Sequence, residues 1–357
     1  MKQRSIRIGV VGAGKVAGHY SKLIRSGLVT NCEVVGVTDV NTATAEAMAG
    51  AHGCAAYTDS ESLIENANPE LMLILTPSGL HYADARVALD RGIHVLIEKP
   101  ATLLLHESEE LARIAEEKNL LAAVGFQNRF NPAMELLKRT VDAGHFGKIV
   151  SVSVRLIWCR PQEYYDTPWR GTWKLDGGVS SQQAIHHIDA LRWIFGPVDR
   201  VCSTTSNRIN DLEAEDTMVA IMELKNGAPA TLEATTAARP LDYEASISVT
   251  GECGMAEIGG IALNKVVAWN LIGGDEFDRV SEEFSREFEN GFGTGHIQLL
   301  QQVVDALCSD VNKPPVSLAS GTETLALIHA LYKSNEEGRW VGLDERPVSS
   351  CLGREKR

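Results

Sequence analysis

The sequence predicts an α/β protein in two parts. Residues 1–125 form a doubly wound parallel sheet, and residues 126–357 form an α+β domain on an open, mainly antiparallel sheet. Three observations carry this expectation. Over the first third of the chain, short buried apolar runs alternate with helical stretches, as in strands joined by crossover helices. Past residue 126 the runs lengthen and alternate apolar with polar, between turn signals at Asn226-Gly227 and Gly251-Glu252. A chain of 357 residues is too long for one typical core and long enough for two.

Ile6 to Val11 is an apolar run ending at glycines, and a helical stretch follows from Val16 to Ser26. Glu33 to Asp39 reads as the next strand and Thr42 to His52 as a small-residue helix. Leu71 to Leu75 is a third buried run, closed by Thr76-Pro77-Ser78. His81 to Arg91 is helical. Ile93 to Ile97 is a strand ended by Glu98-Lys99-Pro100, and Glu107 to Lys118 and Ala122 to Phe126 add a helix and a short strand. Beyond Phe126, the helix Pro132 to Ala143 leads into strand-like runs at Ile149 to Trp158, Thr217 to Leu224, Ala230 to Thr236 and Ala245 to Thr250. Their connections read as too short for crossover helices. Helices around His296 to Ser309 and Gly321 to Gly338 close the chain.

Composition excludes several classes of function. A net charge of −13 with no basic stripe speaks against a nucleic-acid partner, though not against an anionic small molecule held by a few arginines. No apolar run is long enough to span a bilayer, and the N-terminus has no secretory h-region, so a cytoplasmic protein is expected. The seven cysteines are scattered without a CxxC pair, which fits reduced thiols and predicts no metal site.

Gly12-Ala13-Gly14-Lys15-Val16-Ala17 has the form GxGxxA between a strand and a helix. Gly12 permits the tight turn, Gly14 lets a pyrophosphate approach the backbone, and Ala17 allows close helix–strand packing. The free amides at the helix start would receive the phosphates. Asp39, ending the second strand, is placed to bond the adenosine ribose and to repel the extra phosphate of NADP. The plain alternative is a surface turn residue. Together these features predict a Rossmann domain that binds NAD.

Thr76-Pro77 and Glu98-Lys99 lie just past strand ends, the edge at which open parallel sheets bind ligands. A lysine beside a buried glutamate can serve acid/base chemistry, and the same pair also reads as a surface salt bridge. His81 reads either as part of that edge or as a plain helix-start residue. From Ser181 the chain reads as a single helix with Gln182, His186, Asp189 and Trp193 on one face. Only one of His186 and His187 can point the same way as Gln182, and a structural histidine is the plain alternative there. Trp158 to Trp173 packs three tryptophans, two tyrosines and two arginines into a loop. Arg160 and Arg170 are candidates for a carboxylate or phosphate, and the rings offer a stacking surface. A dimer interface is the competing reading.

The string GVVGAGKVAG, the Glu98-Lys99-Pro100 turn and the His186 helix, in that order, resemble the glucose–fructose oxidoreductase/inositol dehydrogenase/MocA family. The resemblance extends over essentially the whole chain, including Gly291 to His296 and Ala330 to Ser334. It implies that Lys99 and His186 are catalytic. It further implies cofactor contacts from Gly12, Gly14, Lys15, Val16, Asp39, Thr76, Pro77, His81, Glu98 and Lys99, joined by Gln127, Trp169 and Arg170. Substrate contacts are implied for Lys99, Asn128, Arg129, Arg160, Tyr165, Gln182 and His186, with Gln127, Asn128 and Arg129 lining a crevice between domains. Many members carry an aspartate one turn before the histidine, where this chain has Gln182. A neutral amide cannot raise the histidine pKa as a carboxylate would, so more of the proton transfer falls to Lys99.

GFQNRFNPAM (Gly125 to Met134), WCRPQEYYDTPWRGTW, His186-His187-Ile188-Asp189, Glu213 to Thr217 and Glu233 to Pro240 are similar to the UDP-N-acetyl-glucosaminuronate 3-dehydrogenases, the WlbA-like subgroup. That likeness implies oxidation of a sugar 3-hydroxyl in the synthesis of bacterial surface polysaccharide such as lipopolysaccharide. It also implies a homodimer or homotetramer through the C-terminal sheet. Three other readings stand beside it: a dehydrogenase of a free polyol or hexose, an NADP-dependent ketosugar reductase and a non-catalytic cofactor sensor. The arginine- and tryptophan-rich loop disfavours the first, Asp39 the second, and retention of both Lys99 and His186 the third.

Overall fold

The computed structural model describes residues 4–287 and 293–355. Gly291 therefore lies outside the described residues. The described chain divides into two compact units. The residues through Phe126 and His296–Thr322 make the first, and those from Gln127 through Gly295 and from Glu323 onward make the second.

The first unit runs β1 (Ile6–Val11), α1 (Lys15–Arg25), β2 (Cys32–Thr38), α2 (Thr42–His52), β3 (Ala55–Tyr57), α3 (Ser60–Ala67), β4 (Leu71–Ile74), α4 (His81–Asp90), β5 (His94–Ile97), α5 (Leu105–Glu117) and β6 (Ala122–Val124). Its sheet has the order β3-β2-β1-β4-β5-β6 with every pair parallel. Strands covered on both faces read as continuous apolar runs, and all four residues of β4 are buried. The edge strand β3 and helix α3 give no comparable signal. Ala55-Ala56-Tyr57 is short and only partly buried.

The expected division at residue 126 would leave everything after it in the second domain. Instead the stretch from His296 packs with the first unit. Leu299, Leu300, Val303 and Val304 are buried there. The Val124 amide donates to the Val316 carbonyl at 3.1 Å, which covers the free edge of β6.

The second unit contains α6 (Pro132–Asp142), β7 (Ile149–Ile157), α7 (Gln162–Tyr165), α8 (Val179–Gln182), α9 (Ile185–Phe195), β8 (Val198–Ser206), β9 (Thr217–Leu224), β10 (Pro229–Thr235), β11 (Glu244–Gly251), β12 (Gly254–Gly259), β13 (Lys265–Leu271) and α10 (Phe277–Phe284). The helices α11 (Gly295–Cys308) and α12 (Leu318–Glu337) and strand β14 (Val341–Gly342) complete the chain. The sheet order is β13-β12-β11-β7-β10-β9-β8-β14. All its pairs are antiparallel except β7 with β10. The expectation that no connection holds a crossover helix is therefore corrected, because α7, α8 and α9 lie between β7 and β8. One face buries Val152, Val154, Leu156, Met218, Met222, Leu232 and Ile247, and α9 packs on β7 and β11. The alternate positions leave Val219, Ile221, Met255 and Val267 exposed.

The single helix expected from Ser181 is two. The Ala184 amide reaches back five residues to the Val179 carbonyl at 2.7 Å, inserting an extra residue into the turn. That slip breaks the shared face. Asp189 is buried, while Gln182 and His186 stay half-buried. No helix among the described residues is long and apolar enough to cross a membrane, and none of their His, Cys, Asp and Glu residues cluster as a metal site.

Candidate active site

In a parallel sheet all strands end on one edge. Gly12 to Val16 follow β1, Asp39 follows β2, Thr76 and Pro77 follow β4, and Glu98 and Lys99 follow β5. Because β1 neighbours both β2 and β4 while the chain reverses direction across the sheet, the glycine turn sits at the topological switch point. Gly12 has φ +90°, and a Cβ there would lie 2.8 Å from the Leu75 carbonyl. Only glycine fits on both counts. At Gly14, by contrast, an added Cβ would meet nothing within 4 Å.

Helix α1 starts at Lys15 with no side-chain cap. Its first amides and open approach fit a pyrophosphate. The Ala13 amide donates to Asp39 Oδ2 at 2.6 Å and the Asn41 amide to Asp39 Oδ1 at 2.7 Å. A carboxylate has lone pairs beyond these two, so Asp39 can hold the loop and accept from a ribose as well.

His81 is buried, with Nδ1 2.8 Å from the Pro100 carbonyl and Nε2 2.7 Å from that of Thr76. It ties the two turns at the strand ends together. Burial lowers its pKa, while the two carbonyls and Glu98 pull the other way. Glu98 is buried, accepting from the Tyr20 hydroxyl at 3.0 Å and the Lys99 amide at 3.1 Å, with His296 Nε2 at 3.6 Å. Burial pushes its carboxyl upward, but His296 and Lys99 outweigh it and the net shift is downward. The glutamate beside Lys99 is thus an interior anion rather than half of a surface pair.

In the second unit, Gln127, Asn128 and Arg129 form a buried 3₁₀ turn. Arg129 gives two hydrogen bonds to Asp189, at 2.7 and 2.6 Å, and its guanidinium lies 5.4 Å from the Trp193 ring centre. Gln127 Nε2 is 3.5 Å from His186 Nε2. His187 is fully interior, edge-on to Trp158, and neither ring nitrogen has a hydrogen-bond partner. Burial pushes its pKa down to about 4. Of the two histidines, His187 is built into the core and His186 is half-buried.

The aromatic segment contains α7 and is more ordered than a plain loop. Tyr165 is buried and shares a 2.7 Å hydrogen bond with the Thr236 hydroxyl. Arg160 lies over Trp158 at 4.7 Å and is ion-paired with Asp242 at 2.9 Å. Arg170 lies over Tyr164 at 4.1 Å and Trp169 at 5.0 Å and donates to the Tyr164 carbonyl at 3.2 Å. Its Nε is buried without a partner, and no described carboxylate is in ion-pairing range. Asp176, passed over as a site residue, is buried and accepts from the Gly171 amide at 2.8 Å and from the Gln182 amide. An acid directly before Gly177-Gly178, at the entry to a helix, was the available signal.

A switch-point glycine turn, an acid ending the second strand and an uncapped helix start define a dinucleotide-dependent oxidoreductase. The comparisons agree. Residues 6–126 match the oxidoreductase-family NAD-binding Rossmann fold, and residues 138–343 match that family's C-terminal alpha/beta domain. The chain belongs to the glucose–fructose oxidoreductase/inositol dehydrogenase/MocA family, and NAD is its cofactor. The WlbA dehydrogenase of Bordetella pertussis, solved with NADH and UDP-GlcNAcA, is 32% identical, covering 96% of this chain and 99% of that one with a TM-score of 0.90. The WlbA dehydrogenase of Chromobacterium violaceum, solved with the same pair, is 30% identical, covering 96% and 97% with a TM-score of 0.88. UDP-N-acetylglucosamine 3-dehydrogenase of Acidithiobacillus ferrooxidans is 30% identical over 66% of this chain and 68% of its own. The NAD-dependent scyllo-inositol 2-dehydrogenase of Bacillus subtilis is 26% identical over 96% and 97%.

Proposed function

We propose that the protein oxidises the 3-hydroxyl of a UDP-N-acetyl-glucosaminuronate-type nucleotide sugar to the 3-ketone, in the synthesis of a bacterial surface-polysaccharide sugar. The observation that carries this reading is Arg170, a guanidinium backed by Tyr164 and Trp169, with its Nε buried and unbonded and no carboxylate among the described residues in ion-pairing range. A neutral polyol has no use for such a cation, whereas a uronate or diphosphate does. Likeness to two WlbA dehydrogenases solved with UDP-GlcNAcA supports the same substrate class.

When bound, NAD supplies the hydride acceptor. The amides from Gly12 to Val16 hold its phosphates, and Asp39 accepts from its ribose. Either Lys99, beside the interior anion Glu98, or His186 takes the hydroxyl proton as the hydride leaves for the nicotinamide. Thr76, Pro77 and His81 shape the nicotinamide end of the strand edge. Lys15, Gln127 and Trp169 remain candidates for the cofactor, and Asn128 and Gln182 for the sugar. Arg129, Arg160 and Tyr165 already engage Asp189, Asp242 and Thr236, so the anionic group of the substrate is assigned to Arg170 ahead of them. The apolar outer face of the second sheet, with Val219, Ile221, Met255 and Val267, is the surface through which a dimer or tetramer would form. All seven cysteines are unpaired, which supports action in the cytoplasm.

The test is incubation with NAD and UDP-N-acetyl-glucosaminuronate, with and without 2-oxoglutarate, followed by mass spectrometry. A product lighter by two hydrogens supports the reading, and dependence on the keto acid shows how the cofactor recycles. No product despite NAD binding sinks the substrate, and oxidation of inositol instead moves the polyol reading forward.

A further inference from the structure

The resemblance leaves the histidine without the carboxylate that other members place one turn before it. The second unit holds a carboxylate nearby by another route. Asp176 is 1% exposed; its Oδ2 accepts from the Gly171 amide and its Oδ1 from the Gln182 side-chain amide. The Gly171 amide is a fixed donor from the backbone. A carboxylate can only accept, so Gln182 must turn its nitrogen toward Asp176. Its carbonyl oxygen then points away from Asp176 within the amide plane. A buried anion on the N–H side also increases the negative charge on that oxygen, since linked hydrogen bonds polarise one another.

We propose that Asp176 is a positioning residue of the active site. It locks and polarises the Gln182 amide so that Gln182 presents a strong acceptor in place of the missing carboxylate. This deepens the dehydrogenase reading above and rests on it for its kinetic consequence. Tyr164 and Tyr165 are ionisable groups that feel the charge of Asp176.

The arrangement makes a reciprocal prediction. In Asp176→Asn, the new side chain must spend its oxygen on the Gly171 amide and aim its nitrogen at Gln182. Two donors then face each other, and Gln182 flips to present a donor. In Gln182→Glu, the buried Asp176 carboxylate meets a second, half-buried one and the two are forced to share a proton. In the double variant Asp176→Asn/Gln182→Glu, donor and acceptor are exchanged, and both the bond between positions 176 and 182 and the one from the Gly171 amide are restored.

On the substrate that the mass-spectrometric assay identifies, each single variant is expected to lose roughly tenfold to a hundredfold in kcat with KM little changed. That loss is part of the ~10²–10⁴ that positioned proton transfer contributes. The double variant should recover most of it. Asp176→Asn with wild-type kcat, or a double variant no better than the worse single, overturns the proposal. A second readout needs no substrate: the Gln182 side-chain amide, found by NMR as the labelled glutamine signal missing from Gln182→Glu. It should shift strongly in Asp176→Asn, and an unmoved signal also overturns the proposal. If no sugar is turned over but this signal moves, the substrate reading has failed and the positioning role stands.

Discussion

Arg129 and Asp189 form a fork-to-carboxylate pair with hydrogen bonds of 2.7 and 2.6 Å, and both side chains are withdrawn from solvent. Thr324 adds a third donor to Asp189 at 2.8 Å. The pair clamps the 3₁₀ turn after Phe126 to helix α9, which carries His186. Removing one partner leaves an uncompensated buried charge, at a cost of about 3–5 kcal/mol. Arg129→Met should therefore lower the melting temperature markedly. Were Arg129 a substrate ligand instead, the variant would melt normally and show only a raised substrate KM.

Asp39 holds the glycine turn through Ala13 and, on the proposed reading, selects between cofactors. Asp39→Ala should weaken NAD binding by about 1.5–3 kcal/mol, the range for a hydrogen bond to a charged group, or roughly tenfold to a hundredfold in Kd. NADP binding should improve at the same time, because the repelling carboxylate is gone. Titration of both cofactors by fluorescence checks this. Equal losses for the two would show that Asp39 serves only the loop.

Arg170 should govern the anionic part of the substrate. Arg170→Met is expected to raise the KM of a charged nucleotide sugar about tenfold or more, from loss of a charge-assisted contact worth about 1.5–3 kcal/mol. Arg160→Met should do less, since Arg160 is already paired with Asp242. Steady-state kinetics with both substrates varied separates the cases. A change confined to the KM for NAD assigns Arg170 to the cofactor.

Glu215 makes stability depend on pH. It is buried, with Oε1 taking the Ser180 amide and the Tyr332 hydroxyl while Oε2 has no partner. Burial pushes its pKa up to about 7 from an ordinary 4.5. Between those values the folded state keeps a proton that the unfolded state has lost, so stability falls as pH rises through the window. The effect is at most about 3 kcal/mol. Glu215→Gln cannot titrate, so its melting temperature should hold up better than that of wild type between pH ~5 and ~8. Parallel melting curves would exclude Glu215 as the source.

Much of the first unit was legible because a parallel sheet covered on both faces writes each strand as an apolar run ending at a loop. Ile6 to Val11 and Leu71 to Ile74 are such runs, and the residues after them are the proposed cofactor ligands. The small edge elements Ala55–Tyr57 and Ser60–Ala67 were not legible, because partly buried edges carry weak patterns. In the second unit, β8, β12 and β13 mix polar and apolar residues on a sheet with one solvent-facing side. The helix break at Gln183-Ala184 has no glycine or proline to announce it.

Sequence alone determined the dinucleotide turn, its acidic partner and the positions of Lys99 and His186, because these depend on local spacing and on where strands stop. Only the tertiary structure decided which charged side chains were already occupied. Arg129 and Arg160 look like Arg170 in a string of letters, but Asp189 and Asp242 lie 60 and 82 residues away and neutralise them. It also set His187 in the core and left His186 half-buried, since burial is a property of the packed helix. And it brought Asp176 to Gln182, because hydrogen bonding between side chains depends on distances that folding sets and sequence order does not.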